Sequence, residues 1–421
     1  MDCITNVPTK SLGKSLWRHP DFLKLWTGQT ISELGSRITR EGLPLTAVLV
    51  LGAQPAQMGF LAATGAASVL LFGLLAGVWA DRIKRRPIMI AADLVRAALL
   101  ATIPAAAFAH RLSMGQLYVV IALTGFCSVF FDVAYQSYLP SLVEREELVD
   151  GNSKLAQSSA IAEVAGPSLT GLLVQLITAP IAILFDALSF VFSALSIGLI
   201  RKREAAARSG EPRQHWKQET TAGLRFVFAH PLLRPLACFS ANAFFFFGFI
   251  GTLYVLYAIR ELKLPPAALG VAITTGGLGA MLGAGFAARM ARRLGTGWTF
   301  IGTMLAAVLS YGFMVAAHGP LTVALAFLVV QQLFGDAAFA IFNVNELSLR
   351  QAVAPTEVLG RVNAAMQLLT RGIYPLGALA GGVLAQKAGI RGTLAIAVAG
   401  LALSSIWLIA SPVRRLREAP A

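Results

Sequence analysis

The 421-residue sequence predicts an all-α membrane protein, with about twelve transmembrane helices in two pseudo-symmetric six-helix bundles. Three observations lead there. Hydrophobic residues make up 56% of the chain and charged residues only 13%, about half the charged share typical of soluble domains. The apolar residues gather in runs long enough to cross a bilayer as helices, separated by short polar turns. The second half also repeats the first. Residues 132–175 align with 343–386 without a gap, pairing Glu146 with Glu357, Asn152 with Asn363, Gly166 with Gly377, Gly171 with Gly382 and Gln175 with Gln386. Shared apolar composition would match Leu and Val by chance, but matched Glu, Asn, Gln and Gly are harder to produce that way. Both copies run in the same direction, which implies a parallel repeat about an axis along the membrane normal.

In order along the chain, the residues before Asp21 are polar, and 16–20 suit a short interfacial helix with Trp17 at headgroup level. The first span, about 22–51, is unusually charged. The second (58–80) and third (87–109) flank a basic hinge at 77–86, and the fourth covers about 114–139. The fifth covers 152–177 and is broken from the sixth by Thr178, Ala179 and Pro180. Residues 201–231 form a basic linker, with an amphipathic helix over 224–234 lying on the membrane surface. The first bundle is thus 1–200 and the second 232–421. Spans of the second bundle fall near 235–259, 267–288, 297–317, 321–349, 358–386 and 392–411. The hinge has a degenerate copy at 285–293, in which Arg289 stands where the first copy has Asp81. A doubled helix bundle of this kind is the architecture of a transporter.

The net charge of +14 falls in the linker, the hinges and the tail. That placement is topological rather than a nucleic-acid footprint, and it puts both termini and the linker on the cytoplasmic side. Cys3, Cys127 and Cys238 are scattered and give neither a disulfide framework nor a zinc spacing. The five histidines sit in loops or at span ends, so no metal site or His relay is expected. The sequence has no nucleotide-binding loop, so ATP-driven transport by this chain alone is not expected. No cofactor and no enzymatic activity are indicated.

The hinge carries a resemblance. Gly77, Ala80, Asp81, Arg82, Arg85 and Arg86 match the G-x-L-A-D-R-x-G-R-R signature of the major facilitator superfamily, while Trp79 and Lys84 depart from it. The chain resembles that superfamily along nearly its whole length. The resemblance implies that Asp81 braces the two halves on the inner side in the outward-open state, and Arg361 at the start of span eleven is the expected partner. Asp93, just inside span three, is expected to brace the same hinge. A second stretch, 162–171, resembles the antiporter signature G-x-x-x-G-P-x-x-G-G through Gly166, Pro167 and Gly171, with Ala162 and Thr170 in place of glycines. That signature is found mainly in exporters. Segments at 142–148, 185–190 and 230–234 resemble a bacterial branch of siderophore exporters, macrolide efflux pumps and multidrug pumps.

Ionisable residues are costly inside a membrane, so each is a functional candidate. On span one, Gln29, Glu33, Arg37, Arg40 and Pro44 share one stripe, with Thr30 and Glu41 at its edge. Glu33–Arg37 and Arg37–Glu41 have the spacing of helical ion pairs. Glu33, Glu163 on span five and Asp336 on span ten are the candidate proton carriers; Asp336 has no cation near it in sequence. Gln29, Arg37, Arg40, Glu41, Gln332, Gln367, Arg371 and Tyr374 are the candidate substrate contacts.

The reading that follows is a monomeric, proton-coupled secondary exporter of amphipathic small molecules, such as drugs or siderophores, in a bacterial inner membrane. Its expected partners are a small-molecule substrate, protons and the lipid bilayer. Three alternatives stay open: a proton-coupled importer of the same fold, a lysolipid translocator, and a non-transporting membrane partner.

Overall fold

The computed structural model describes residues 16–79, 84–202 and 216–417. Asp81 and Arg82 of the hinge, Cys3 and residues 203–215 of the linker lie outside these residues. Helices α1 (Pro20–Leu49), α2 (Pro55–Trp79), α3 (Arg85–Phe108), α4 (Met114–Leu142), α5 (Leu148–Ile177) and α6 (Ala179–Gly198) pack mainly on one another. After the linker come α7 (Trp216–Ala229), α8 (Leu233–Arg260), α9 (Pro266–Leu294), α10 (Thr296–Ala316) and α11 (Leu321–Val353). The chain ends with α12 (Thr356–Arg371), α13 (Tyr374–Ala388), α14 (Ile390–Ser404) and the short α15 (Ile406–Ile409). Among the described residues, 11 helical segments are long and apolar enough to cross a membrane, with α12 and α13 taken together as one. Helix α1 has the length at 30 residues but too many charges to count. It packs on α6 and α5, which gives its polar face neighbours other than lipid.

Two differences from the sequence reading have local causes. Span eleven is two helices rather than one. Pro375 has no N–H to bond the carbonyl four residues back, and Gly372 beside the break adds backbone freedom. The aligned positions in span five are Val164 and Ile161, and α5 runs unbroken. The linker helix starts at Trp216, earlier than its apolar face suggests, and stops at Ala229 before Pro231. It packs on α12 as well as lying at the end of the bundle. Val227 is buried with Val362 and Met366, and Gly223 abuts the Arg361 carbonyl.

The helix ends at the linker side are tied together. Asp21 accepts hydrogen bonds from the N–H groups of Arg201 and Lys202 at 3.1 and 3.0 Å. Lys24 Nζ donates to the Leu199 carbonyl at 2.8 Å, and Arg86 Nε donates to that of Ile197 at 3.1 Å. The last carbonyls of a helix have no partner within it and carry partial negative charge, so cations are favoured there. Lys202 Nζ does the same for α4, donating to the Leu142 carbonyl at 3.0 Å. The first two linker residues are therefore anchored to the first half.

The two halves meet at the opposite, far end. Helix α5 lies on α9 and α2 lies on α13. Gly171 abuts the Pro266 carbonyl, and Gly270 reciprocally abuts that of Pro167. A Cβ on any of these glycines would enter backbone space, so only glycine permits this approach. Gly59 and Gly382 make the same kind of contact between α2 and α13. Hydrogen bonds stitch the α5–α9 seam. The Ser168 N–H donates to Thr274 Oγ1 at 3.1 Å, the two hydroxyls are 2.7 Å apart, and the Ala267 N–H donates to Gln175 Oε1 at 3.2 Å.

Candidate translocation site

Midway along α5, Glu163 forms an ion pair with Arg37 of α1, and Arg40 lies 3.8 Å from its other oxygen. The sequence spacing suggested pairs within α1, but Arg37 reaches across to α5 instead. Gly166 makes room for it: a Cβ there would stand 2.5 Å from Arg37 Cβ and 2.9 Å from Cγ. The antiporter-like stretch thus has two structural jobs on one helix. Gly166 admits the arginine stem, while Pro167 and Gly171 meet the other half.

This cluster is open. The Glu163 side chain, midway along α5, is 54% exposed and that of Arg40 is 64% exposed. Exposed charges at that depth belong in a water-filled gap rather than in lipid. The second half supplies the facing wall. Asp336, midway along α11, is within electrostatic reach of Glu163 and sits against Gly276 of α9. Tyr254 of α8 is near both Glu41 and Asp336, Tyr311 of α10 is near Asp336, and Tyr374 of α13 is near Arg40. The Tyr374 hydroxyl lies over Gly251. The Tyr254 hydroxyl is buried and has no hydrogen-bond partner among the described residues.

Other sequence candidates fall elsewhere. Glu33 and Gln29 line a separate cavity of about 250 Å³ with Tyr135 and Asn152, on the first half alone. Gln332 accepts from its neighbour Gln331 at 3.1 Å. Gln367 and Arg371 are exposed on α12, and Arg371 has no ion-pair partner among the described residues. Arg361 is exposed on the same helix beside α7. Of the hinge, Gly77 is in the last turns of α2, while Arg85 and Arg86 open α3. Asp93 pairs with Arg96, whose guanidinium stacks over Phe131 and Phe190 at 4.6 and 4.0 Å and donates to Ser128 Oγ at 3.2 Å. That pair joins α3 to α4 and α6.

Sequence reasoning missed Tyr254 and Tyr311. Their signal was present: a tyrosine inside an apolar span brings a polar tip that needs a partner. It was obscured by the run of phenylalanines just before Tyr254. Asp186 was also passed over as a buried acid. It is 1% exposed, accepts from Ser189 at 3.1 Å and packs against Gly35 of α1.

Comparison with known proteins places this geometry. An MFS-type transporter of Bacillus subtilis (strain 168) is 26% identical over 420 residues, covering 96% of each chain. The multidrug efflux pump Tap of Mycolicibacterium fortuitum is 28% identical, covering 95% of this chain and 97% of its own. A bacterial homologue of the iron transporter ferroportin matches in its inward-facing state with a TM-score of 0.73 at 19% identity, covering 94% of this chain and 99% of that one. The outward-facing state of such a homologue matches at 0.54 and 20% identity, covering 93% and 98%. The family model described as transmembrane secretion effector matches residues 14–420. With its paired bundles, far-end seam and exposed charged centre, the chain belongs to that family of major facilitator superfamily transporters, multi-pass membrane proteins that move small molecules.

Proposed function

We propose that this transporter is a proton-coupled exporter of amphipathic small molecules, working by alternating access in a bacterial cytoplasmic membrane with its termini and linker inside. The observation that carries this reading is the Arg37–Glu163 ion pair. It is water-exposed at mid-depth, bridges two helices of one half, and stands within reach of Asp336 from the other. A substrate with an anionic group competes with Glu163 for Arg37 and Arg40. In this reading Glu163 and Asp336, one from each half, carry the protons exchanged for substrate as the halves rock. Arg37 and Arg40 are the contacts that favour a substrate with an anionic group.

Export is supported by three features. The positive charge at the linker end puts that end in the cytoplasm. The halves are sealed at the far end, so the gap opens toward the cytoplasm, as a loading state for export does; the higher TM-score to an inward-facing neighbour agrees. The seal is built from the stretch resembling the antiporter signature, and a relative covering nearly all of the chain is named a multidrug efflux pump.

The test is transport in proteoliposomes and inside-out vesicles with an imposed pH gradient, using anionic and cationic amphipathic dyes. Gradient-driven uptake into inside-out vesicles is expected, lost in Glu163→Gln and Asp336→Asn while dye binding persists. Full gradient-driven transport in both variants would remove the proton-coupling role from these carboxylates. Lysolipid movement without dye movement would make the protein a lipid translocator.

A further inference from the structure

The second copy of the basic hinge has no part in the central site, yet it borders a large cavity. This cavity, about 1470 Å³, lies at the linker end of the second half, between α9, α10, α11 and the C-terminal tail. Arg292 and Arg293 reach it from the end of α9, and Arg414, Arg415 and Arg417 from the tail. All five are exposed, and no acidic residue lines the cavity among the described residues. The tail is held in place by its backbone. The Gly297 N–H donates to the Leu416 carbonyl at 2.9 Å and the Thr296 N–H to that of Arg417 at 3.2 Å. The cluster of cations is thus a fixed feature of the fold, made by pinning the tail over the start of α10.

Below the arginines the wall is apolar. Trp298 is 64% exposed, and Leu305 and Ile409 are 47% and 41% exposed. Leu305 lies nine residues into α10, about 13 Å along the helix at 1.5 Å per residue. An exposed tryptophan beside a basic rim marks headgroup level, and an apolar wall beneath it lies at acyl-chain depth. A free phosphate would use the cations and leave the wall idle. A molecule with an anionic head and a hydrocarbon tail uses both, and the adjoining leaflet supplies it. We propose that this cavity is a binding site for an acidic phospholipid, with the phosphate among Arg292, Arg293, Arg414 and Arg415 and an acyl chain along Trp298, Leu305 and Ile409. The degenerate hinge suits this task because it lacks the carboxylate of the first copy: Arg289 replaces Asp81, so no acid repels the headgroup.

The experiment uses the full chain in phosphatidylcholine bilayers doped with phosphatidylglycerol or phosphatidylcholine brominated on the acyl chain. Trp298 fluorescence is isolated as the difference between the parent and Trp298→Phe. Brominated phosphatidylglycerol should occupy the site with at least about tenfold preference over brominated phosphatidylcholine. In the variant Arg292→Gln, Arg293→Gln, Arg414→Gln, Arg415→Gln the preference should fall to about twofold or less. If that variant fails to insert, Arg414→Gln with Arg415→Gln should give an intermediate preference, and the four Lys replacements should keep most of it. Equal quenching by both lipids in the parent overturns the proposal. So does loss of the preference on adding millimolar inorganic phosphate, which would make the cavity a site for soluble anions.

Discussion

Two arginine–carboxylate pairs sit inside the first half of this transporter, and they are built for different purposes. Asp93 and Arg96 are three residues apart on one helix, and their side chains are 0% and 7% exposed. Arg96 is sandwiched between Phe131 and Phe190, which stack on its guanidinium from within the same half. Arg37 and Glu163 come from two helices, and Glu163 is half exposed, with Arg40 as an alternative partner. The first pair is enclosed within one half, where it joins α3 to α4 and α6. The second lies on the side turned toward Asp336 of the other half, with Arg40 as a second cation in reach. Enclosure, rather than the presence of an ion pair, separates a charge that holds the fold from one free to act.

The contrast can be broken by substitution, with effects on stability that should fall in a definite order. Asp93→Ala leaves a buried, unpaired Arg96, which costs about 3–5 kcal/mol. Thermal unfolding of the purified protein should show the largest loss of all the variants; a melting curve like the parent's would mean that the pair is dispensable.

Gly166→Ala comes next. The new methyl group meets the Arg37 stem, and overpacking of this kind costs about 1–3 kcal/mol. Transport should fall with it, because Arg37 is pushed away from Glu163. If melting temperature and transport both match the parent, α1 and α5 are looser than this contact implies.

Thr274→Val removes the hydroxyl that accepts from the Ser168 N–H at the seam, at about 0.5–1.5 kcal/mol. The loss falls on the far-end seal, so the halves should part there more often. Inter-spin distances across the far end should gain a longer component, and an unchanged distribution would show that the glycine contacts alone hold the seam.

Glu163→Gln should have the smallest effect on unfolding, within about 1 kcal/mol, because its pair is water-exposed. It should nevertheless remove gradient-driven transport. A large loss of stability in this variant would put Arg37–Glu163 in the same class as Asp93–Arg96 and cancel the comparison.

Much of this was legible in the chain. Apolar run lengths set the spans, because a bilayer core admits only helices of sufficient length. The gap-free repeat announced two halves, and the placement of Glu163 and Asp336 inside apolar runs marked them as costly residues. The polar stripe on α1 was readable from helical periodicity alone.

Only the tertiary structure decided which of these residues meet. Helical spacing offered Arg37 two partners on its own helix, Glu33 and Glu41, but it pairs with Glu163. That choice depends on a missing Cβ at Gly166, on a helix distant in sequence. Glu33, on the same stripe, ends up in another cavity with Tyr135 and Asn152 of α4 and α5. Tyr254 and Tyr311 join Asp336 through the packing of three helices, which no local pattern encodes. Sequence periodicity reports which face of a helix is polar. What that face touches depends on how helices far apart in the chain pack, and here glycines at the contacts set how closely they do so.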